Sequence, residues 1–461
     1  MIAVASEGST SAAQTPRRYV VTLLLMLAYT LNSADRQLLA IIAQPLKLDL
    51  RLTDTQVGLL AGTAFAALYA FGSIPLARLA ERCNRVNLLC TAMLLWSALT
   101  ALCGAAARFG QLLVLRTGVG IAEAGCTPPA HSIISDYFAP PERATALSLY
   151  SCGISLGYIL SAMLGSYLAL RYGWRVACVA VGLPGVVMAA VLKLGVPEPA
   201  RTAAPLPSDL RAEWQQLRLV GHSLLGRWPL ANFLCGVTVA AFAAQGSWAF
   251  IPSLFNRAFG LDYARVGLVA ALTGGVAVGA GLLAGGPLAD YLARRDVRWY
   301  AYVPALGLLL ATPLFVLAFL QDAWQRSAVL LGAAGFLQYL SFGPTVGVVQ
   351  NVVEPRQRAT ATALIYVVLN VVALGGGALF TGWLIDRFAE SHLHHLRAAA
   401  SFEVLCPGGG ALRPAGAALC RQTLAAASRE GIIVTVLLYG WAALHYLLGA
   451  KGLRRCLRSA S

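Results

Sequence analysis

Apolar residues run in blocks of about 20 along most of the chain, and the breaks between blocks are short and polar. One such block is enough to cross a ~30 Å hydrocarbon core as a single helix. The blocks are continuously apolar, not alternating, which argues against a closed β-barrel. Twelve spans are expected, near 18–40, 55–78, 86–107, 111–134, 143–170, 174–195, 229–252, 264–288, 298–320, 327–350, 358–386 and 430–450. They group as a six-helix bundle over 18–195 and a second over 229–450. A disordered tail over 1–17, a linker over 196–228, a long loop over 387–429 and a polar tail over 451–461 complete the chain. Within the linker, Leu210 to Leu219 reads as a short amphipathic helix lying at the interface. The first apolar run is too long for a cleavable signal core.

Composition agrees with this all-α membrane reading. The 461 residues are 58% hydrophobic and 12% charged, with mean hydropathy +0.68, whereas soluble domains carry about 25% charged residues. The net charge of +15 raises nucleic acid as a partner. However, the basic residues are scattered between apolar runs, which suits lipid headgroups and not nucleic acid. Lys and Arg number 20 on the side that would hold both termini and the linker and 13 on the other. That excess places the termini in the cytoplasm of a plasma or inner membrane. Ten cysteines show no metal-ligand spacing. Cys406 and Cys420, in the outward loop, could form a disulfide there or be together by chance.

The halves repeat. Arg143-Ala-Thr-Ala146 returns as Arg358-Ala-Thr-Ala361, and Ala77-Arg-Leu-Ala-Glu81 matches Gly286-Pro-Leu-Ala-Asp290, at offsets of 215 and 209. Duplicated bundles around a central site are the architecture of secondary transporters.

Several ionisable residues fall inside spans, where each costs at least ~2.5 kcal/mol and normally serves ion or substrate passage. Arg116 and Glu123 lie two helical turns apart on one face, among Gly118, Gly120, Ala122, Ala124 and Gly125. Asp35 and Arg116 are each about five residues from the outer end of their spans, so an Asp35–Arg116 pair is geometrically allowed with Glu123 deeper. A carboxyl beside an arginine stays ionised, and one left in an apolar cavity holds a proton. A rocking motion that separates acid from arginine on one side would therefore couple proton movement to transport, with Glu123 first and Asp35 second. The alternative is an internal ion-pair staple that only orients helices. His131, near the inner end, could pass protons or simply cap its helix. The stripe Gly153, Gly157, Ser161 and Gly165 reads as a sliding surface between halves.

After the second span, Glu81 is followed by Arg82 and Arg85, and a carboxylate there can cap another helix across the cytoplasmic gate. Arg143, Asp290 and Arg358 sit in matching gate positions. This loop resembles the signature of the major facilitator superfamily, Gly-x-x-x-Asp-Arg-x-Gly-Arg-Arg, with Ala77, Glu81 and Asn84 as departures and Tyr291 replacing an arginine in the second copy. A narrower resemblance is to the spinster family. It rests on Asn32-Ser-Ala-Asp35-Arg36-Gln, on Leu52-Thr-Asp-Thr-Gln-Val-Gly-Leu-Leu, and on the run from Gly120-Ile-Ala-Glu123 through His131 to Asp136-Tyr-Phe. The resemblance implies the major facilitator fold, a proton-linked or facilitative carrier of lysophospholipids or sphingoid phosphates, and roles for Asp35, Arg36, Arg116 and Glu123.

The buried parts of spans seven to eleven are read as free of Asp, Glu, Lys and Arg. Gln245, Trp248, Asn256, Gln338, Tyr339, Tyr366 and Asn370 are their polar and aromatic residues, and Pro252 and Pro344 are expected to break helices. The cavity would then have a charged wall, with Arg36 or Arg116 for an anionic head, and an apolar aromatic wall for a tail. The same aromatics could instead be packing or interface-belt residues. The expected activity is proton-coupled transport of a lipid-like amphiphile by a monomer, with membrane lipid and protons as partners and with no cofactor, metal or nucleic acid. The rivals are a proton-driven exporter of drugs or small organic ions and a non-transporting receptor or scaffold. No catalytic constellation or phosphate-cradling loop marks an enzyme or ATP-driven pump.

Overall fold

The computed structural model describes residues 10–138, 140–199, 218–219, 221–222, 225–352, 364–395, 401–412 and 414–458. Twelve helical segments cross the molecule. In the first half these are α1 (Thr10–Ile41), α2 (54–82), α3 (Arg85–Cys103), α4 (109–137), α5 (140–172) and α6 (Trp174–Gly195). The second half contains α7 (Trp228–Phe259), α8 (Tyr263–Ala293), α9 (Trp299–Phe319), α10 (324–352), α11 (364–395) and α12 (Ala417–Ala450). Eight of the helices are individually long and apolar enough to span a membrane. The described ends, Thr10 and Arg458, lie on one side of the molecule, here the terminal side; the other is the far side.

Two helices show the duplication in the backbone itself. α4 consists of Phe109–Ala124 and Thr127–Tyr137, and α10 of Trp324–Tyr339 and Phe342–Val352. The start of each helix and both edges of each break lie 215 residues from their counterparts. At both breaks the chain tightens in the same way: Gly125 N–H bonds to Ala122 O and Cys126 N–H to Glu123 O, as Leu340 bonds to Leu337 and Ser341 to Gln338. Prolines 128, 129 and 344 just beyond supply no N–H to continue the ladder. α7, in contrast, runs unbroken through Pro252, so the expected break there does not occur.

The halves meet along α2–α11 and α5–α8, and all four helices carry a π-turn: Leu59–Thr63, Ser161–Gly165, Ala271–Ala277 and Leu369–Leu374. Such turns widen a helix locally and recur at functional sites. Lipid offers no hydrophobic drive for helices to associate, so close contact depends on small residues. A Cβ on Gly58 would lie 2.3 Å from Ala378 O, one on Gly62 2.4 Å from Leu374 O, and one on Gly267 2.2 Å from Ala162 O. These approaches lie on the far side, whereas the next glycine along α2, Gly72, faces α4 of its own bundle. The far side is closed.

Three expectations change. The stripe on α5 is not the sliding surface: Gly153 and Gly157 face Met26 and Thr30 of α1, and Gly165 faces Leu38. The inter-half face of α5 is the adjacent one, bearing Ser155, Tyr158, Ile159 and Ala162 against Gly279, Gly274, Gly275 and Gly267. Among the described residues helix α1 already includes Thr10, inside the segment read as a disordered tail. The loop read at 387–429 is shorter, because α11 continues to His395 and α12 starts at Ala417. At 34 residues, α12 is about 50 Å long and extends well beyond the hydrocarbon. Most of Leu210–Leu219 lies outside the described residues.

Candidate functional site

The acids and arginines of α1 and α4 converge in the interior of the first bundle. Glu123 is the last side chain before the α4 break, and the break directs it toward α1. Its Oε2 accepts from Arg36 Nε at 2.5 Å, and Asp35 Oδ1 accepts from Arg116 Nη1 at 3.5 Å. Asp35 and Glu123 are fully buried, Arg116 nearly so, and the Arg36 side chain keeps 25% of its exposure. Of these four side chains Arg36 is the one that is partly exposed, and Arg116 is buried against Asp35. The two carboxyls interact electrostatically within this interior. Among the described residues Asp35 Oδ2, Glu123 Oε1 and both polar atoms of the Asn32 side-chain amide have no hydrogen-bond partner.

Aromatic residues frame Arg36. Its guanidinium lies 4.9 Å from the Tyr69 ring centroid and 5.2 Å from that of Phe65, a cation–π seat that fixes the head without neutralising it. Tyr29 stacks on Tyr150 at 4.5 Å, and His131 meets Tyr150 edge-on at 5.3 Å with its own side chain exposed. Aromatic groups thus continue from Arg36 toward the terminal side. Across the boundary stands Tyr366 of α11, exposed and within electrostatic reach of Tyr69 and Tyr29. Asn370, one turn along, donates to Tyr366 O.

The other candidates of the second half divide. Gln245 is exposed and Tyr339 partly buried. Trp248 and Gln338 are buried inside the second bundle, where Trp248 Nε1 donates to Gln338 Oε1 at 3.3 Å and the indole packs on Phe315. They are packing residues of that bundle and not an open wall. Asn256 Nδ2 closes the end of α7 on Leu261 O.

Among the gate residues, Arg85 is buried and clasps its own half. It contacts Asp136 at 2.5 Å, Ser132 at 2.8 Å, Glu198 at 2.7 Å and Pro199 O at 3.0 Å, which ties the start of the linker to α3 and α4. Asp290 accepts from Tyr300 within the second half, and Arg82 is exposed. The side chains of Glu81 and Arg143 are not among those described, and Arg358 lies outside the described residues. Cys406 and Cys420 are joined, with Cα atoms 5.7 Å apart.

A second buried charge cluster escaped the sequence reading. On the far side Asp54 receives Lys47 Nζ at 2.5 Å and both terminal nitrogens of Arg257, at 2.6 and 3.2 Å, while Arg257 also reaches Gln44 and Ser428. Arg257 is a buried charge on α7, just beyond the expected end of the seventh span at 252, because the helix continues to Phe259. The available signal was Thr53-Asp-Thr-Gln56, a capping box, which marks a helix start at an otherwise unremarked loop.

A family model for the major facilitator superfamily matches residues 25–377. The chain belongs to the major facilitator superfamily. It is 33% identical to an MFS-type efflux pump of Mycolicibacterium smegmatis, over 81% of this chain and 86% of that protein. It is 27% identical to human protein spinster homolog 1, over 86% and 79%. Among solved structures, a bacterial homolog of the human lysosomal transporter spinster, in an inward-facing and unoccupied conformation, superposes with TM-score 0.83 at 30% identity, covering 96% of this chain and 98% of that one. This superfamily member is thus a multi-pass secondary transporter with a spinster-like fold, not an enzyme.

Proposed function

We propose that this transporter moves an anionic amphiphile together with protons by alternating access, through a partner exchange at Arg36. The observation that carries this reading is the single partly exposed arginine, bonded to a buried acid that itself faces a second acid. An anionic head entering a cleft between the halves on the terminal side would compete with Glu123 for the Arg36 guanidinium. Glu123, left beside Asp35 with no cation, then shares a proton with it, so cargo and proton load together. Arg116 keeps Asp35 paired meanwhile. The apolar and aromatic residues along the cleft, including Tyr366, would receive the tail.

The Lys and Arg excess on the terminal side supports a cytoplasmic location for both termini, in a plasma or inner membrane, and the cleft would then open inward. Glu81, Arg143 and Arg358 are proposed to take part in closing it. A second reading, export of drugs or small organic ions, is favoured by the similarity to the M. smegmatis efflux pump. Purified protein in vesicles with an imposed pH gradient tests both. Flux of lysolipids that depends on chain length and on Arg36 supports the amphiphile. Flux of hydrophilic cations that is indifferent to acyl chains supports the exporter.

A further inference from the structure

The far-side closure uses a helix cap supplied from the opposite half. At the start of α2, Thr53 Oγ1 accepts from Gln56 N and Gln56 Oε1 accepts from Thr53 N. That leaves the N–H groups of Asp54 and Thr55 in need of partners, as at any helix start. Both donate to Asp386 of α11, at 2.9 and 2.7 Å, and the Thr55 hydroxyl adds a third bond at 2.6 Å. Gly382, one turn earlier on α11, makes the approach feasible, since a Cβ there would lie 2.2 Å from Asp54 O. Beside this cap, Asp54 is bound by Lys47 from its own half and by Arg257 from the other. Loop residue Gly408 presses on Arg51 and Lys47 O, next to the Cys406–Cys420 bridge.

The charges are divided evenly. Lys47 and Asp54 belong to the first half, Arg257 and Asp386 to the second. Parting the bundles leaves one cation and one anion on each, so opening exposes hydrogen bonds to water without stranding a net charge in either half. A stranded charge would make opening far more costly. This cluster combines tight closure with reversibility, which a purely structural staple does not require.

We propose that Asp386 is the latch that holds the carrier closed on its far side, by capping α2 across the boundary between halves, with the Arg257–Asp54 pair as its second fastening. The proposal concerns the conformational equilibrium and is independent of the cargo. It is tested on the full chain in nanodiscs, with spin labels attached through a non-canonical ketone amino acid at Arg171 and Arg265, exposed positions on the far side of the two halves, and distances read by pulsed electron resonance. Wild type is expected to give mainly a short separation. Asp386→Ala should add a longer population, raising the open-to-closed ratio on the far side at least about tenfold, because hydrogen bonds to a charged acceptor are lost. Asp386→Asn, which keeps one acceptor oxygen, should give a smaller rise. If Asp386→Ala is monodisperse and melts like wild type but leaves the distance distribution unchanged, the latch is refuted. Should that variant not purify folded, Gly382→Ala decides instead: it must lengthen the separation, and an unchanged distribution refutes the proposal equally.

Discussion

The first and second bundles solve the same packing problem with different chemistry. In the first, α1 meets α4 through Arg36 and Glu123; in the second, α7 meets α10 through Trp248 and Gln338. Glu123 and Gln338 are 215 residues apart, immediately before the matching breaks of α4 and α10. The position of Arg116 is taken in α10 by the fully buried Leu331. One scaffold therefore carries an ionisable junction and a neutral one. A neutral amide–indole bond has the same state at every pH, whereas an arginine–acid junction can trade partners. On our reading, the first bundle does the proton work, and the second gives it a fixed surface to close against.

The largest effect should come from erasing the difference. Glu123→Gln makes the first junction resemble the second. Accumulation driven by a pH gradient should disappear, while exchange of cargo without a gradient continues. Vesicle flux across a pH series checks this, and an unchanged pH dependence would exclude Glu123 as the coupling group. Next, Arg36→Ala strands the buried acid and should cost about 3–5 kcal/mol, read as a fall in melting temperature in detergent. Adding Glu123→Gln to it should recover most of that loss, and a double variant as unstable as the single one would argue against a coupled pair. A smaller effect is expected from the reverse exchange, Gln338→Glu. It places an acid beside Trp248 with no cation and should cost about 2 kcal/mol without adding a second pH-dependent component to flux. Of similar size is Gly58→Ala at the seam between halves, about 2 kcal/mol because its Cβ would meet the backbone at Ala378 O. Gly110→Ala, with open space around its would-be Cβ, serves as the neutral control.

Much of the first bundle was legible in the sequence because cost and position are both written there. A charge inside an apolar run needs a reason, and the depths of Asp35, Arg116 and Glu123 already allowed them to meet. The duplication was legible from two short matches, and the breaks of α4 and α10 extend the same 215-residue register into the backbone. The Asp35–Arg116 pair was legible from depth, but the partner of Glu123 was not: spacing along α4 set it beside Arg116, yet it bonds to Arg36 on another helix. The α5 stripe was misassigned for a related reason. Periodicity shows that a face is small, not which neighbour covers it, and here α1 does. Lys47, Asp54, Arg257 and Asp386 were overlooked because each sits at the end of a span, where charge is expected and attracts no notice. Only the fold brings four helix ends to one point.

The bridge between Cys406 and Cys420 makes the insertion of this chain chemically readable. Eight cysteines remain as thiols and ten are present in all, and the bridged pair forms only where its surroundings are oxidising. Alkylating unfolded, unreduced protein should attach eight labels when the far side faced such a compartment during folding, and ten when the polypeptide entered the other way round.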